Sequence, residues 1–329
     1  SNLAALPTAA WKGAVLNGKI YGVPTAGQSL VATGPYTQQT IWDELKLAYP
    51  TTADEFVAAL KAFSIPSQRW GYASVPAPTT PTIVPYMSEI FMAPNNWRES
   101  GGKLTKSYEA PEYKTAVQFA ASVVSQGLIY PQTLSSTVDQ IATNFYAQKY
   151  VVASNSVTFY STVWDRVKAV NASYKIRVLP PFSNDGKSKG QHFLGAGAQS
   201  ITVLKKASAD RIKELLGVLN YLAAPYGTQE HLLLRYGVEG SEFNFDPNGN
   251  PVPTAKGRGD LYTPYNGIAS CAEPFYNASD PTFAPTASQV ETPLYALGTP
   301  DPTYRLYSKT NAEKGPVLNR AMTDAINQI

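Results

Sequence analysis

A single cysteine, Cys271, rules out a disulfide within the chain. Histidine is almost as scarce. With only His192 and His231 available, a zinc site would have to recruit carboxylates. Charged residues make up 16% of the chain and the net charge is +3. The longest basic run is the pair Lys205-Lys206, so the concentrated positive stripe of a nucleic-acid binder is missing and no nucleic-acid partner is expected. No apolar run approaches the roughly 20 residues that cross a bilayer as a helix. The opening Ser1-Asn2 reads as mid-pattern rather than as a secretory leader. No cofactor motif is present: the glycines of "HFLGAGAQS" lack the G-x-G-x-x-G helix start of a phosphate cradle.

What the chain does have is length, apolar bulk and aromatic rings. At 329 residues it exceeds the size at which one core keeps growing, which predicts two domains. Hydrophobic residues reach 43%, with 21 tyrosines and 26 prolines, a polar-aromatic balance common in exported, carbohydrate-handling proteins. Asn17-Gly18 predicts a tight turn with positive φ, followed by a buried strand over Ile20, Tyr21 and Val23 that Pro24 ends. Thr52 and Glu55 form a capping box ahead of Phe56, Leu60 and Phe63 on one helix face. Pro111 opens a second helix with Tyr113, Val117, Ala120 and Val124 in a stripe and Gly127 as its terminator. A third helix near 137–147 groups Val138, Ile141, Ala142 and Phe145.

Buried strands are predicted at 150–153 and 174–179, with a helix over 157–170 between them. Another strand follows at 200–204. Ser208 caps a helix bearing Ile212, Leu215, Leu216, Leu219 and Leu222; Pro225 breaks it, and a shorter helix ends at Gly237. Residues 241–254 read as a hairpin turning at Asn248-Gly249. Asp246-Pro247-Asn248-Gly249-Asn250 looks like the opening of a calcium loop, but Gly257 stands where an EF-hand places its twelfth-position acid, so a hairpin turn is the reading. Asn171 and Asn277 fit the glycan acceptor triplet, a pattern frequent by chance. Residues 260–307 lack periodicity and predict an irregular wrap. A last helix over 313–328 turns Val317, Ala321, Met322 and Ala325 inward. Strands alternating with helices predict an α/β architecture.

The ordered segments "NGKIYGVP", "YPTTADEFVAALKAF", "EYKTAVQFAASVVSQGLIYP" and "YGVEGSEFNFDPNGNPVPT" resemble the extracellular solute-binding proteins of bacterial ABC importers, the family that includes the maltose-binding protein. The resemblance spans nearly the whole chain. It implies an α/β periplasmic-binding-protein-like fold of two lobes with a ligand cleft between them. Residues 1–26 and 192–300 would form lobe I, and 27–191 and 301–329 lobe II. It also implies a strand–helix–strand unit ahead of "NGKIYGVP" and one more helix after Ile329, leaving lobe I incomplete. The implied partners are a sugar or oligosaccharide and membrane permease subunits, for a monomeric receptor outside the cytoplasm, on the surface as a lipoprotein or in the periplasm.

Site residues follow from the same resemblance. Thr25–Ser29 would enter the cleft, and Gln28 falls where relatives place a sugar-contacting amide; a planar amide both donates to and accepts from vicinal hydroxyls. A pyranose has an apolar face that packs on an aromatic ring. Asn155, Phe159 and Tyr160 follow the 150–153 strand where relatives place such a ring, although Phe159 replaces the Trp often found there. Tyr86 lies after the segment "WGYASVPAPTTPTIVPY" and is another candidate, with Trp42, Trp70, Trp97 and Trp164 as further rings. Gly195 and Gly197 would let backbone approach a ligand, and Gln199 would supply a second amide. For each ring the alternative is core packing, for Gln28 a solvated loop, and for the glycines a turn into a strand.

The leading reading is a non-enzymatic carbohydrate receptor that closes about a hinge, because ligand touching both lobes favours the closed state. An exported carbohydrate-active enzyme is the rival. It would need two carboxylates about 5–10 Å apart, and Asp43, Glu44, Glu89, Asp165, Asp260 and Glu273 are available. A third reading keeps the fold but binds a peptide or another small solute.

Overall fold

The computed structural model describes residues 1–27, 30–31, 33–75, 82–156, 173–260, 267–272, 274–276 and 283–328. Its strands are β1 (Val15–Leu16), β2 (Lys19–Ile20), β3 (Val23–Ala26), β4 (Thr33–Gln38), β5 (Trp70–Ser74), β6 (Trp97–Ser100), β7 (Lys103–Lys106), β8 (Tyr150–Ser156), β9 (Ile176–Val178), β10 (His192–Phe193), β11 (Ala198–Thr202), β12 (Phe243–Phe245), β13 (Pro251–Pro253) and β14 (Gly298–Thr299). Its α-helices are α1 (Thr8–Gly13), α2 (Gln39–Leu45), α3 (Ala53–Phe63), α4 (Val84–Ile90), α5 (Pro111–Ser125), α6 (Val138–Tyr146), α7 (Ala209–Leu222), α8 (Gln229–Tyr236), α9 (Ala255–Asp260), α10 (Phe283–Ala296) and α11 (Lys309–Ile326). The chain divides into two compact units. Unit 1 comprises Ser1–Leu30, Gly195–Thr286 and Tyr304–Tyr307; unit 2 comprises Val31–Leu194, Ala287–Thr303 and Ser308–Ile329.

Unit 2 is built on a four-stranded sheet in the order β5-β8-β4-β9. β5 and β8 run parallel, while β4 is antiparallel to both β8 and β9. The α3 helix forms where the sequence requires it. The Thr52 hydroxyl accepts the Glu55 N–H at 3.2 Å, and Phe56, Leu60 and Phe63 are fully buried. The reciprocal half of the capping box lands one residue early, because the Glu55 carboxylate accepts from the Thr51 N–H and hydroxyl, each at 2.7 Å. At Gly71 the helix meets the sheet without a side chain between them: a Cβ there would lie 2.7 Å from Leu60 Cβ. Trp42 is buried on the inner face of α2, its indole N–H donating to the Thr37 hydroxyl at 2.6 Å and its ring edge-on to Phe63.

One helical stripe comes out rotated and another loses its first residue. On α5 the buried residues are Tyr113, Ala116, Ala120 and Val123, while Val124 is 37% exposed. The α4 helix packs along α5, and the 3.6-residue period selects 113-116-120-123 as readily as 113-117-120-124. Gly127 terminates the helix at φ +70. On α6 the full capping box of Thr137 and Gln140 is present, and Ile141, Ala142 and Phe145 face the core, but Val138 is exposed in the first turn.

In unit 1 the β1–β2 hairpin turns at Asn17 (φ 49) and Gly18 (φ 78), as the Asn-Gly pair demands. The strand expected through Ile20 and Tyr21 is interrupted there. Both side chains are exposed, Ile20 to 65%, and Gly22 lies against the Thr202 carbonyl, 2.6 Å from where a Cβ would stand. Pairing resumes at Val23 and continues through Pro24, which sits opposite Ile201 inside β3. Proline is tolerated there because β11 ladders β3 on one side. Around this pair Leu6, Ala10, Val23, Ala26, Leu219, Ala223 and Ala269 form a small core. Ser208 caps α7 as predicted, yet only Leu219 of its five expected core residues is buried.

The β12–β13 hairpin turns with Gly249 at φ +81. The Asp246 carboxylate accepts from the N–H groups of Asn248 and Asn250, each at 2.8 Å, and from the Asn250 amide at 2.9 Å. Those bonds close the turn locally. The stretch expected to be irregular over 260–307 contains α10 and β14; the Pro-Thr-Ala composition hid a helix whose buried contacts are Phe283, Ala287 and Leu294. The α11 helix buries Gly315 and Thr323 rather than the expected face, and Val317 is 70% exposed. The helix expected over 157–170 lies outside the described residues.

Candidate functional site

In unit 2 the carboxyl ends of the parallel strands β5 and β8 lie side by side, with Ser74 opposite Ser154. This is the edge at which open α/β sheets take their ligands, because successive loops fan apart there. Asn155 stands at that edge on β8, buried and paired across to Gly34. Phe159 and Tyr160 belong to the following segment and lie outside the described residues, as does Trp164.

Tyr86 is placed differently from a ring that stacks on sugar. It is buried in α4, parallel to Tyr72 with centroids 6.0 Å apart and edge-on to Phe56. Burial pushes its phenol well above the ordinary value, and the Glu89 carboxylate adds to the effect. The ring is thus engaged in packing and only 6% exposed. Among the described candidate tryptophans, Trp70 is edge-on to Tyr130, and Trp97 lies under the Lys106 ammonium at 5.0 Å.

Unit 1 offers a second polar edge where β3 meets β11. The register slips between Ala198 and Ser200, so Gln199 occupies a bulge and is exposed. A bulge re-aims a side chain out of the ladder. Thr25 is buried on β3 with its hydroxyl lacking a protein partner among the described residues. Gly197 has φ +75, and a Cβ there would fall 2.8 Å from the Leu30 side chain and 3.1 Å from Ala9. Its glycine identity is therefore explained by packing against Leu30 and Ala9. Gln28, on the same segment as Thr25, lies outside the described residues.

The carboxylates available to a hydrolase are dispersed in role. Asp43 and Glu44 are exposed on α2, Asp260 bonds the Lys256 ammonium at 2.6 Å, and Glu89 is buried against His192. Asp165 and Glu273 lie outside the described residues. An apolar groove of about 270 Å³ does exist in unit 2 between Trp70, Val117, Val124, Leu134 and Ile326. Its wall contributes few polar groups, and a sugar's hydroxyls need many.

Residues 1–233 match the bacterial extracellular solute-binding protein family. The chain belongs to that family. Among curated proteins it is similar to the polygalacturonan/rhamnogalacturonan-binding protein YtcQ of Bacillus subtilis, at 21% identity over 95% of this chain and 64% of YtcQ. This family member therefore spans about two thirds of the length of that relative. Among solved structures it is similar to the S. pneumoniae ABC-transporter substrate-binding protein FusA in complex with kestose, with a TM-score of 0.64 at 14% identity, covering 96% of this chain and 70% of FusA. It is also similar to an HMO-binding, ABC-transporter-associated solute-binding protein of Bifidobacterium longum infantis, with a TM-score of 0.66 at 15% identity, covering 99% and 73%. At such identities the likeness is one of fold, and the fold is the two-lobe solute-binding architecture. Among the described residues no helix is long and apolar enough to cross a membrane.

What the sequence reading missed is the pairing of Glu89 with His192. Each residue was visible as a titratable group, but the 103 residues between them carry no signal that they meet.

Proposed function

We propose that this solute-binding protein captures an oligosaccharide outside the cytoplasm and presents it to the permease subunits of an ABC importer. Units 1 and 2 act as the two lobes, and the sugar binds between them as a monomeric receptor closes. Asn155 and Gln199 supply amide contacts from opposite lobes, Gln28 adds a third, and Phe159 and Tyr160 offer the rings. The receptor does no chemistry on its ligand. It is held at the cell surface as a lipoprotein or free in the periplasm.

The observation that carries this reading is the family match over residues 1–233, which runs through parts of both units. The relatives point to the ligand class: YtcQ is a polygalacturonan/rhamnogalacturonan-binding protein, and FusA was solved with kestose. A thermal-shift screen tests it with oligogalacturonides, rhamnogalacturonan fragments, kestose and maltose against a peptide panel. Saturation at about a hundred times Kd adds about 2.7 kcal/mol of stability. Stabilisation by a sugar, with the sugar recovered intact, is the expected result. Stabilisation by peptides alone, or cleavage of the sugar, would overturn it.

A further inference from the structure

The strand leaving unit 2 is two residues long, too short for its ladder alone to hold it. Its ladder supplies the His192 N–H to the Leu297 carbonyl and the Leu194 N–H to the Thr299 carbonyl, each at 3.0 Å, and side chains of unit 2 add to these. Glu89 Oε2 lies 3.0 Å from His192 Nδ1, and Glu89 Oε1 accepts the Phe193 N–H at 3.1 Å. One carboxylate thus grips two successive residues with charge-assisted bonds. The Asn95 amide donates to the carbonyls of Leu194 at 3.0 Å and Thr299 at 2.7 Å. Gln191 donates to the Ala93 carbonyl at 2.7 Å and accepts from the Thr299 hydroxyl at 3.1 Å. Glu89 itself rides on α4, whose Val84, Met87 and Ile90 are buried, so the grip is anchored in the core of unit 2.

One residue further on, the chain belongs to unit 1. The Gly195 N–H donates to the Leu30 carbonyl at 2.8 Å, and the Gly27 N–H donates to Gly197 at 2.9 Å. The Leu194–Gly195 peptide therefore lies between two separately fixed stretches, and its second residue is a glycine with wide φ/ψ freedom.

We propose that Glu89, assisted by Asn95, is a positioning residue that clamps residues 192–194 to unit 2, so that in this one of the chain's crossings between the units the bend falls at the Leu194–Gly195 junction. The proposal rests on the two-lobe receptor reading above. Without the clamp, residues 191–194 would share the bend and the lobes would sample a wider range of openings, lowering the fraction poised to close on ligand.

The test is made on the unliganded chain in a Cys271→Ser background. Spin labels at Lys114→Cys on α5 and Lys213→Cys on α7 report the distribution of distances between the units, and hydrogen exchange reports the Phe193 amide, which Glu89 accepts. Glu89→Ala is expected to speed that exchange roughly tenfold or more and to broaden the distance distribution. Glu89→Gln keeps an acceptor for Phe193 and an amide facing His192, and is expected to restore both. Should Glu89→Ala fail to fold, Asn95→Ala is expected to broaden the distribution in the same way. An unchanged distribution in the folded variants, whatever happens to Tm, would overturn the clamp, as would a Gln variant as loose as Ala. Failure of the sugar reading would show separately, as a wild-type chain that no sugar stabilises.

Discussion

The Glu89 carboxylate and the His192 imidazole meet at 3.0 Å across 103 residues of chain, both of them buried. The other carboxylate oxygen is taken by the Phe193 N–H at 3.1 Å. Removing one partner of a buried hydrogen-bonded pair leaves the other desolvated and unmatched. Glu89→Ala should therefore cost about 2–4 kcal/mol in chemical denaturation, and Glu89→Gln appreciably less. Equal costs for the two variants would mean that the carboxylate itself, and not side-chain volume or an acceptor for Phe193, sets the effect, because glutamine keeps both of these.

Gly71 brings α3 onto β5 with no room for a methyl group. The Cβ of an alanine would stand 2.7 Å from Leu60 Cβ and 2.9 Å from Leu60 Cα. Backbone cannot retreat as a flexible side chain can, so Gly71→Ala should destabilise unit 2 by about 1–3 kcal/mol. A variant that melts with the wild type would show that α3 can shift freely.

On α5, adjacent valines should respond oppositely. Val123 is fully buried and Val124 is 37% exposed. Val123→Ala is expected to cost about 1–3 kcal/mol through the cavity it leaves. Val124→Ala should stay within about 0.5 kcal/mol of wild type. Urea unfolding of the two variants measures the helix's rotation directly.

Glu242 gives unit 1 an acid-sensitive tie. The Lys256 ammonium bonds its carboxylate, the Val238 N–H donates to it at 2.8 Å, and together with the Ser241 hydroxyl they hold it down to about 2 from an ordinary 4.5. A lowered folded value means the stabilisation is complete above about 4.5 and is lost as pH falls toward 2. An NMR titration of the Glu242 carboxyl should find the depressed value, and Lys256→Met should raise it and flatten the acid limb of stability between those limits.

Gln199 projects from a bulge and is exposed, so its truncation should spare the fold while touching ligand. Gln199→Ala is expected to weaken sugar binding by up to about tenfold, the worth of one or two hydrogen bonds, with Tm of the free protein unchanged. Calorimetric titration with the stabilising sugar checks it. An unaltered Kd would remove Gln199 from the site.

Much of the chain was legible locally. The Asn17-Gly18 turn, the Thr52 and Ser208 caps, the Gly127 terminator and the Asn248-Gly249 hairpin each follow from a residue's own stereochemistry, which its neighbours barely alter. Of the candidate site, Asn155 was read just after a strand over 150–153 and lies within that strand, which runs on to Ser156, and Gln199 is exposed at the bulge. Tyr86 went the other way, because nothing in a sequence says whether an aromatic ring faces a neighbour or a ligand.

By itself, then, the sequence determined the punctuation of the helices and hairpins and the order of segments that marks the solute-binding family. Local φ/ψ preference and capping chemistry act over three or four residues, so they are written in the chain. Tertiary structure alone decided which face of α5 and α11 turns inward, that Pro24 lies within a strand, that a helix occupies 283–296, and that Glu89 meets His192. Those outcomes depend on what packs alongside, and packing partners separated by a hundred residues leave no mark on one another's local sequence.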